Sequence, residues 1–319
     1  MADTKQAFLR ILGFLAGLFL LLCALSWLYR PRDNTEEQRI GSDHACGWLS
    51  EPVGSIDVFF LGSSEFYSAV CPPRIWEQSG ITSYVVATSG QRLYDLDTNL
   101  ERILRTRKPK LVVVDAYVVL IPTHWDEIVF DEISDLVPIL KYHFNWDHTS
   151  LSYFASPVSY THHEVRKGFR PKRNHQKNLK PDYMKKTRFR YPFRVQNRLY
   201  TEHIRALCRE AGVDLLFLAI PSPVNWDGKH SNTMQDYAQE TGVPFLDLNT
   251  IMEELGIDGD RDYRDGGDHM NGFGSKKVSI FLARYLWEQY GLESHLQDPA
   301  YEQWNGDYEE IYGGRPDGS

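Results

Sequence analysis

Two serines directly follow an apolar run near residue 60. The stretch VFFLGSSE, residues 58 to 65, places Ser63 and Ser64 behind a glycine at the end of a predicted strand. In a parallel α/β sheet, the carboxyl ends of the strands carry the ligand site. A serine at this position is therefore a candidate nucleophile, although glycine and serine also begin ordinary turns.

His269 is the candidate base for such a serine. It lies in the loop YRDGGDHMNG, behind two acids and two glycines. A serine hydroxyl becomes nucleophilic when a positioned imidazole takes its proton, and a carboxylate on the other ring nitrogen fixes the tautomer. Asp265 and Asp268 both qualify as this carboxylate. We prefer Asp265, because adjacent side chains in an extended loop tend to point apart, and Asp268 stays open as the alternative.

Strands and helices alternate along the part of the chain that holds these residues. Helical spacing predicts helices over 73–78, 93–106, 201–210, 233–240 and after Gly274. Apolar runs predict strands over 56–62, 83–90, 110–121, 213–223 and 243–249. Buried strands that alternate with helices indicate a parallel sheet covered on both faces. The predicted fold is a three-layer α/β/α domain.

The N-terminus predicts a membrane anchor. Residues Ile11 to Tyr29 form nineteen residues without a charge, which at about 1.5 Å per residue nearly cross a hydrocarbon core of about 30 Å. A cleaved signal peptide is the alternative, but Ala24-Leu25-Ser26 is a weak cleavage site. A short N-terminal tail before a large domain favours a single-pass signal anchor in the cell membrane. The domain would then lie outside the cytoplasm.

These patterns divide the chain into four parts. We predict an anchor over 1–30, a stalk or linker over 31–55, a catalytic domain over 56–295 with an insertion over about 118–197, and an acidic tail over 296–319. The insertion is strongly basic. Between Val165 and Arg198 it has thirteen Lys or Arg residues and one acid, Asp182. It is either a solvated surface or a patch for a polyanion or an anionic membrane.

Composition and motifs exclude several classes of protein. The formal net charge of −8 argues against nucleic-acid binding. The sequence has no glycine-rich phosphate loop, no HExxH and no paired CxxC, so we expect neither a cofactor nor a metal site. His124 and the pair His162-His163 are better explained by packing or surface exposure than by metal binding. Four cysteines, one of them in the apolar run, do not imply a disulfide framework.

At the serine and histidine motifs the chain resembles the SGNH, or GDSL-like, hydrolase superfamily. Gly62-Ser63-Ser64 matches the first family motif. The second motif is matched by ATSGQRLYDL at 87–96, and the closing motif is matched by DHMNGFGSKKVS at 268–279. KYHFNWDH at 141–148 resembles a Tyr-His-x-x-Trp pattern of bacterial cell-surface members. Two positions depart from the family. VVVDAYVV replaces the third motif and lacks its asparagine, and residue 266, where Asp-x-x-His would place the acid, is glycine.

The resemblance implies an SGNH-type, flavodoxin-like fold and serine acyl chemistry. Ser64 would be the nucleophile and His269 the base, and the Ser64 and Gly90 amides would form the oxyanion hole. Relatives in D-alanine and O-acetyl transfer imply an acyltransferase or esterase for cell-surface glycans, with a membrane-bound O-acyltransferase as partner. A carbohydrate O-acetylesterase is the first alternative. The second is a catalytically inactive binding or scaffold domain, which the missing asparagine favours.

Overall fold

The computed structural model of the protein describes residues 2–35, 43–142, 145–147, 150–178, 180 and 182–313. Part of the predicted linker, and His143 and His148 of the stretch 141–148, lie outside the described residues. The chain forms two compact units. The N-terminal helix unit contains Met1–Asp43 and His124–His162, and the sheet unit contains His44–Thr123 and His163–Ser319.

A five-stranded parallel sheet is the centre of the sheet unit. Its strands are β1 (Val58–Gly62), β2 (Ser83–Ala87), β3 (Leu111–Asp115), β4 (Asp214–Ala219) and β5 (Phe245–Asp247). They lie in the order β2-β1-β3-β4-β5. Phe60 of β1 is in register with Val85 of β2 and with Val113 of β3. This order places the switch point, where sheets of this type bind ligands, between β1 and β3.

Helices cover both faces of this sheet, as predicted. In the sheet unit they are α2 (Ser64–Ala69), α3 (Pro72–Ser79), α4 (Leu93–Thr106), α5 (Ala116–Leu120), α8 (Val195–Ala211), α9 (Gly228–Thr241), α10 (Met252–Leu255), α11 (Gly272–Tyr290) and α12 (Glu302–Tyr312). The N-terminal helix unit contains α1 (Ala2–Leu28), α6 (Trp125–Leu136) and α7 (Leu151–Ala155). Short 3₁₀ turns lie at Asp43–Ala45, Gly47–Leu49, Pro138–Leu140, Leu248–Thr250 and Pro299–Tyr301.

The core is built from strands that are apolar on both faces. Phe59 and Phe60 of β1 are both fully buried, although successive strand residues point to opposite sides. The Phe60 side packs in one cluster with Phe66 of α2, Ile75 of α3 and Leu282 of α11. The opposite side lies under α4 and α8, which contact each other. The fold is therefore a three-layer α/β/α domain.

The third predicted strand is shorter than the apolar run at 110–121. Strand β3 ends at Asp115, and residues 116–120 form the short helix α5. Asp115 causes this change, because its Oδ1 accepts the Tyr117 amide at 3.0 Å and so caps the helix. An apolar run in a buried layer does not distinguish a strand from a short helix.

Two predicted boundaries differ from the structure. The second half of the predicted linker packs into the sheet unit, where Cys46 and Trp48 are buried. The predicted tail over 296–319 contains helix α12, which packs on α3. The rings of Trp304 and Trp76 lie 5.6 Å apart at this contact. Lys167, which is fully buried, pairs with Asp307 of α12 at 2.6 Å.

The N-terminal helix unit contains the predicted membrane segment. Residues Thr4–Leu28 form a helix long and apolar enough to cross a membrane. A signal sequence would meet the same criterion. The C-terminal end of the helix α1 contacts residues of the insertion. The Ser26 hydroxyl accepts a hydrogen bond from the Ile139 amide at 2.9 Å. Arg32, just after the helix, donates to the Phe154 and Ser156 carbonyls.

Candidate active site

Strand β1 delivers the two serines to the switch point of the sheet. At Gly62 a side chain has no room, since a Cβ there would lie 2.7 Å from that of Asp115. Ser63 is the N-cap of α2 and donates from its amide and its hydroxyl to Asp115 Oδ2, at 3.1 and 2.8 Å. Ser64 begins the helix, and its hydroxyl points to a different partner. The two serines therefore have different environments.

That partner is His269. Its Nε2 lies 2.7 Å from Ser64 Oγ, and its Nδ1 lies 2.7 Å from Asp265 Oδ2. The imidazole is partly buried, with 13 % of its side chain exposed. A carboxylate on Nδ1 places the proton on that nitrogen, which leaves Nε2 as an acceptor for the serine proton. Hydroxyl, imidazole and carboxylate thus form one continuous hydrogen-bonded chain.

Both candidate acids approach the imidazole, but at different distances. Asp268 Oδ2 lies 3.3 Å from His269 Nδ1, compared with 2.7 Å for Asp265. Asp265 also accepts the His269 backbone amide on its other oxygen, at 2.7 Å. Gly266 and Gly267 have φ values of +80° and +108°, which turn the loop so that Asp265 faces the histidine. The geometry favours the predicted Asp265, and Asp268 lies at its side.

The Asp265 carboxylate is held in its charged form. Partial burial alone would raise its pKa, but the hydrogen bonds from His269 and the Arg264 guanidinium outweigh this effect and lower the pKa. Arg264 Nε donates to Asp265 Oδ2 at 3.1 Å and is itself largely buried. An ionised carboxylate at this position stabilises the imidazolium that forms when His269 takes a proton.

Part of the basic insertion supports the histidine loop. Gln176 N donates to the Tyr263 carbonyl at 2.9 Å, and Asn174 Nδ2 donates to the Arg264 carbonyl at 3.1 Å. Residues 172–178 therefore run beside the loop that carries Asp265 and His269. This contact gives the insertion a structural role in addition to its charge.

Several cations of the insertion are neutralised by acids from elsewhere in the sheet unit. The pairs are Lys167 with Glu51 and Asp307, Lys177 with Asp260, Arg190 with Asp236, and Arg198 with Glu240. Lys185, Lys186 and Arg188 are exposed. The basic patch is therefore smaller than the sequence count indicates, and its contact with a polyanion stays a prediction.

Asn225, in the loop after β4, connects helix α2 to the loop that carries His269. Its Nδ2 donates to Glu65 Oε1 at 2.7 Å and to Asp268 Oδ1 at 2.5 Å. Glu65 is buried next to Ser64, and within the described part of the chain its second oxygen has no hydrogen-bond partner. Burial and then the charge of Asp115 raise the pKa of Glu65 well above its ordinary value. This shift favours a protonated Glu65 beside Ser64.

Asp115 occupies the strand end where the resembled family has its third motif. It is fully buried, and both its oxygens accept hydrogen bonds from Ser63 or Tyr117. Burial raises its pKa to about 6, although the hydrogen bonds from Ser63 act to lower it. A carboxylate cannot donate to an oxyanion, so Asp115 fixes the serine turn and leaves the role of the asparagine unfilled. Gly90 lies exposed beyond the end of β2, and its role with the Ser64 amide stays a prediction.

Two groups of side chains among the described residues have donor atoms close enough for one metal ion. The first is Asp265, Asp268 and His269 itself. The second is Asp97, Glu101 and His203, on α4 and α8. In the second group His203 Nδ1 lies 2.9 Å from the Asp97 oxygens. The Glu101 carboxylate lies 3.5 Å from the Arg105 guanidinium. Both groups are therefore accounted for by contacts within the protein.

Comparisons with known proteins give distant likenesses only. No family model matches the chain, and no curated protein does either. Among solved structures, a Bacteroides fragilis protein assigned as an acylhydrolase has 13 % identity and a TM-score of 0.40, with 76 % of this chain and 93 % of that chain covered. A GDSL-like lipase from Bacteroides thetaiotaomicron has 12 % identity and a TM-score of 0.38 over 74 % and 88 %.

The lipase/acylhydrolase from Enterococcus faecalis has 11 % identity and a TM-score of 0.36, with 72 % of this chain and 95 % of that chain covered. Likenesses at this level do not establish the activity of the chain. The function is inferred from the geometry of the site itself.

Three supporting residues were not found by sequence reasoning. Arg264 adjoins Asp265, Glu65 adjoins Ser64, and Asn225 follows a strand. The sequence contains a signal for Asn225, because SPVN follows the apolar run that became β4, and polar groups at such strand ends meet at one edge of the sheet. No local pattern shows that Asn225 bridges Glu65 and Asp268, since that contact joins residues far apart in the sequence.

Proposed function

We propose that the protein is a serine esterase or acyltransferase that works through an acyl-serine intermediate. The observation that supports this most directly is the chain from Asp265 through His269 to Ser64, with both hydrogen bonds at 2.7 Å. Such a chain provides a nucleophile, a base and an orienting carboxylate in the order that acyl transfer requires. The family resemblance of the surrounding motifs points to the same chemistry.

In the first step Ser64 Oγ attacks the carbonyl carbon of an ester. His269 Nε2 takes the hydroxyl proton, and the carbonyl electrons move onto oxygen. When the tetrahedral intermediate collapses, the bond to the alcohol breaks and His269 returns the proton to the leaving oxygen. Asp265 stabilises the imidazolium while it exists. The products of this half-reaction are acyl-Ser64 and a free alcohol.

The second half-reaction decides between transfer and hydrolysis. His269 takes a proton from either a sugar hydroxyl or water, and that oxygen attacks the acyl carbon of acyl-Ser64. The bond between the acyl group and Ser64 Oγ then breaks, and His269 returns the proton to Ser64 Oγ. A sugar hydroxyl gives an acylated glycan, and water gives a carboxylic acid. The amides of Ser64 and Gly90 are the donors we propose for the oxyanion. Ser64 lies in the first turn of α2, where helix amides have no partner within the helix.

We further propose that the enzyme is anchored in the cell membrane by α1, with the sheet unit outside the cytoplasm. Its substrates would be O-acyl groups, such as O-acetyl, of cell-surface glycans, and its partner a membrane-bound O-acyltransferase. The support for this is the apolar helix Thr4–Leu28 together with the resemblance to cell-surface acyl-transfer proteins. A carbohydrate O-acetylesterase is the second candidate, because it uses the same triad and the same intermediate.

Full-length protein in bilayer nanodiscs, incubated with an activated acetyl ester and a hydroxyl-rich oligosaccharide, tests this proposal. A transferase should give acetylated oligosaccharide, and an esterase should give acetate alone. Ser64→Ala is the matched control and should abolish both products. Absence of both products from the wild-type protein with several acyl groups would contradict the enzymatic proposal and favour a binding or scaffold protein.

A further inference from the structure

Helix α6 of the N-terminal helix unit exposes an apolar stripe. Trp125, Val129, Ile133 and Leu136 recur at positions i, i+4, i+8 and i+11, and their side chains are 57, 56, 47 and 65 % exposed. Residues at this spacing lie on one face of a helix. Phe130, which flanks the stripe, is 63 % exposed. Four large apolar side chains in a row on a water-facing helix are unusual.

The opposite side of α6 is the covered side, although it is polar. Ser134 is buried there, and Asp131 is more covered than the residues of the stripe. Lys141 pairs with Asp131 at 3.0 Å and with Asp135 at 2.5 Å. A helix in water is expected to bury its apolar side and expose its charges. Helix α6 instead leaves its apolar stripe exposed, with Asp126 and Glu132 exposed at the stripe's edges, an arrangement that suits a helix lying at the boundary between an apolar and a polar environment.

The contacts of the following turn show where this environment lies. The 3₁₀ turn Pro138–Leu140 packs against α1, and the Ile139 amide donates to Ser26 Oγ at 2.9 Å. Ser26 belongs to the apolar helix, and α1 becomes partly covered from Leu22 onward. Leu22 lies six residues before the helix end, or about 9 Å along its axis. The turn after α6 thus lies beside the last part of the membrane-spanning segment.

Side chains near the end of α1 also indicate where the boundary between hydrocarbon and headgroups lies. Trp27 is 59 % exposed, and the Arg30 guanidinium lies 5.1 Å from the centre of its ring. Tryptophan and arginine are typical of the boundary between hydrocarbon and headgroups. Trp125 is a second exposed tryptophan, at the start of α6. Both helices therefore present boundary-type side chains.

From these observations we propose that α6 lies in the lipid interface, with the stripe Trp125, Val129, Ile133 and Leu136 inserted among the upper acyl chains. The inference rests on the anchoring by α1 proposed above. We assign lipid, and not a soluble protein, as the partner of the stripe. The reason is that the turn Pro138–Leu140, which follows α6, packs against the end of the proposed membrane-spanning helix α1. Since the helix itself is acidic, apolar burial supplies the attraction, and zwitterionic lipid suffices.

Spin labels on single cysteines in full-length protein test this directly. Cys23→Ser provides the background, because the remaining cysteines Cys46, Cys71 and Cys208 are buried. The labelled variants are Val129→Cys and Ile133→Cys, reconstituted in phosphatidylcholine nanodiscs. Collision with oxygen, which is concentrated in lipid, is compared with collision with a water-soluble nickel complex. Asp135→Cys, exposed on another side of the same helix, is the matched control.

The expected result is an oxygen accessibility greater than the nickel accessibility at Val129 and Ile133, and the reverse at Asp135. High nickel accessibility at Val129 would place the stripe in water, and low accessibility to both reagents would place it against protein. Either result overturns the inference. Phe14→Cys, on the exposed face of α1, separates the two proposals. A water signal at Phe14 overturns the anchoring itself, whereas a lipid signal there with a water signal at Val129 overturns only the placement of α6.

Discussion

His269 has two carboxylates within reach of its Nδ1, and its catalytic use depends on which of them orients the ring. Asp265 contacts the ring nitrogen at 2.7 Å and accepts the backbone amide of the same residue. Asp268 lies at 3.3 Å and is engaged by Asn225. Since a bond to the imidazole and a bond to the backbone fix Asp265 at both oxygens, we expect it to determine the tautomer.

Asp265→Asn should therefore lower kcat by several orders of magnitude, while the fold is kept. An amide can present its NH₂ to Nδ1 and so stabilise the wrong tautomer, an effect worth about 10⁴-fold in a serine protease. Asp268→Asn should cost far less. Ester hydrolysis rates of the two variants, measured against Ser64→Ala and His269→Ala as lower limits, give the comparison. If Asp268→Asn falls to the lower limit while Asp265→Asn stays active, the assignment is reversed.

Asn225→Ala should lower kcat about tenfold with little change in KM, a loss of about 1.4 kcal/mol of transition-state stabilisation. Without the amide, Asp268 is released and competes with Asp265 for His269 Nδ1. The second change Asp268→Asn should restore most of the loss, because a neutral side chain competes less well. Steady-state kinetics of the single and double variants measure this. A double variant no better than the single one would show that Asn225 acts only on the fold.

The proximity of Ser64, His269 and Asp265 could be predicted from sequence, whereas the residues that contact them could not. Ser64 and His269 stand in local patterns, a serine after a strand and a histidine in an acidic glycine-rich loop. The choice of Asp265 followed from the expectation that neighbouring side chains point apart. Arg264 and Asn225 act through contacts that depend on how the loops fold back onto the sheet. Local spacing contains no information about those contacts.

At the scale of elements, the junction of β1 with α2 is held by the end of β3. Asp115 stops its own strand, caps α5 and accepts both the amide and the hydroxyl of Ser63. Because the carboxyl group is fully buried, its pKa is raised to about 6. The turn that presents Ser64 is therefore coupled to the ionisation of a residue on a neighbouring strand.

The pH dependence of stability should show this coupling. A raised folded pKa means that the folded state binds the proton more tightly, so this contribution to stability is present below the ordinary pKa of 3.8 and is lost as pH rises through about 6. At about 1.4 kcal/mol per pKa unit, the change amounts to at most about 3 kcal/mol. Urea unfolding of wild type and Asp115→Asn across this range measures it. If the free energy of unfolding changes with pH in the same way in both proteins, Asp115 is not the source of the pH dependence.

Element boundaries show where an apolar pattern is insufficient. The order of strands and helices followed from their alternation, and the doubly covered sheet followed from continuous apolar runs. The run at 110–121 did not reveal that it contains a strand and a helix, because both are buried and apolar. The acidic residues around 302–312 suggested a tail, but Trp304 and Asp307 are inward-facing residues of a docked helix. Burial of single side chains in a polar segment is decided by tertiary packing.

At the scale of the whole molecule, the proposed location of the chemistry depends on the apolar helix α1. Its length and composition suit a membrane span, and its end contacts the segment 138–156 by hydrogen bonds from Ile139, Arg32 and Asn145. Cleavage near Ser26 would remove one of these contacts. These contacts are consistent with the retained anchor that we propose.

Trypsin added to intact cells should cut the sheet unit and leave α1 in the membrane. Lys185 and Lys186 are exposed in a segment without regular secondary structure, which suits cleavage. Immunoblots of cells before and after lysis give the measurement, and a cytoplasmic protein in the same cells serves as the control. Protection of the sheet unit until lysis would contradict an extracytoplasmic site and remove the setting for glycan acylation.

The most direct test of the central claim is the mass of the protein after brief exposure to an activated acyl ester, followed by acid quenching and peptide mapping. We expect one acyl group on Ser64, present in wild type and in Ser63→Ala, and absent from Ser64→Ala and from His269→Ala. The Ser63 variant is the matched control, because that hydroxyl is bonded to Asp115 and not to the histidine. Acylation of another residue, or equal labelling of Ser64→Ala, would contradict Ser64 as the nucleophile.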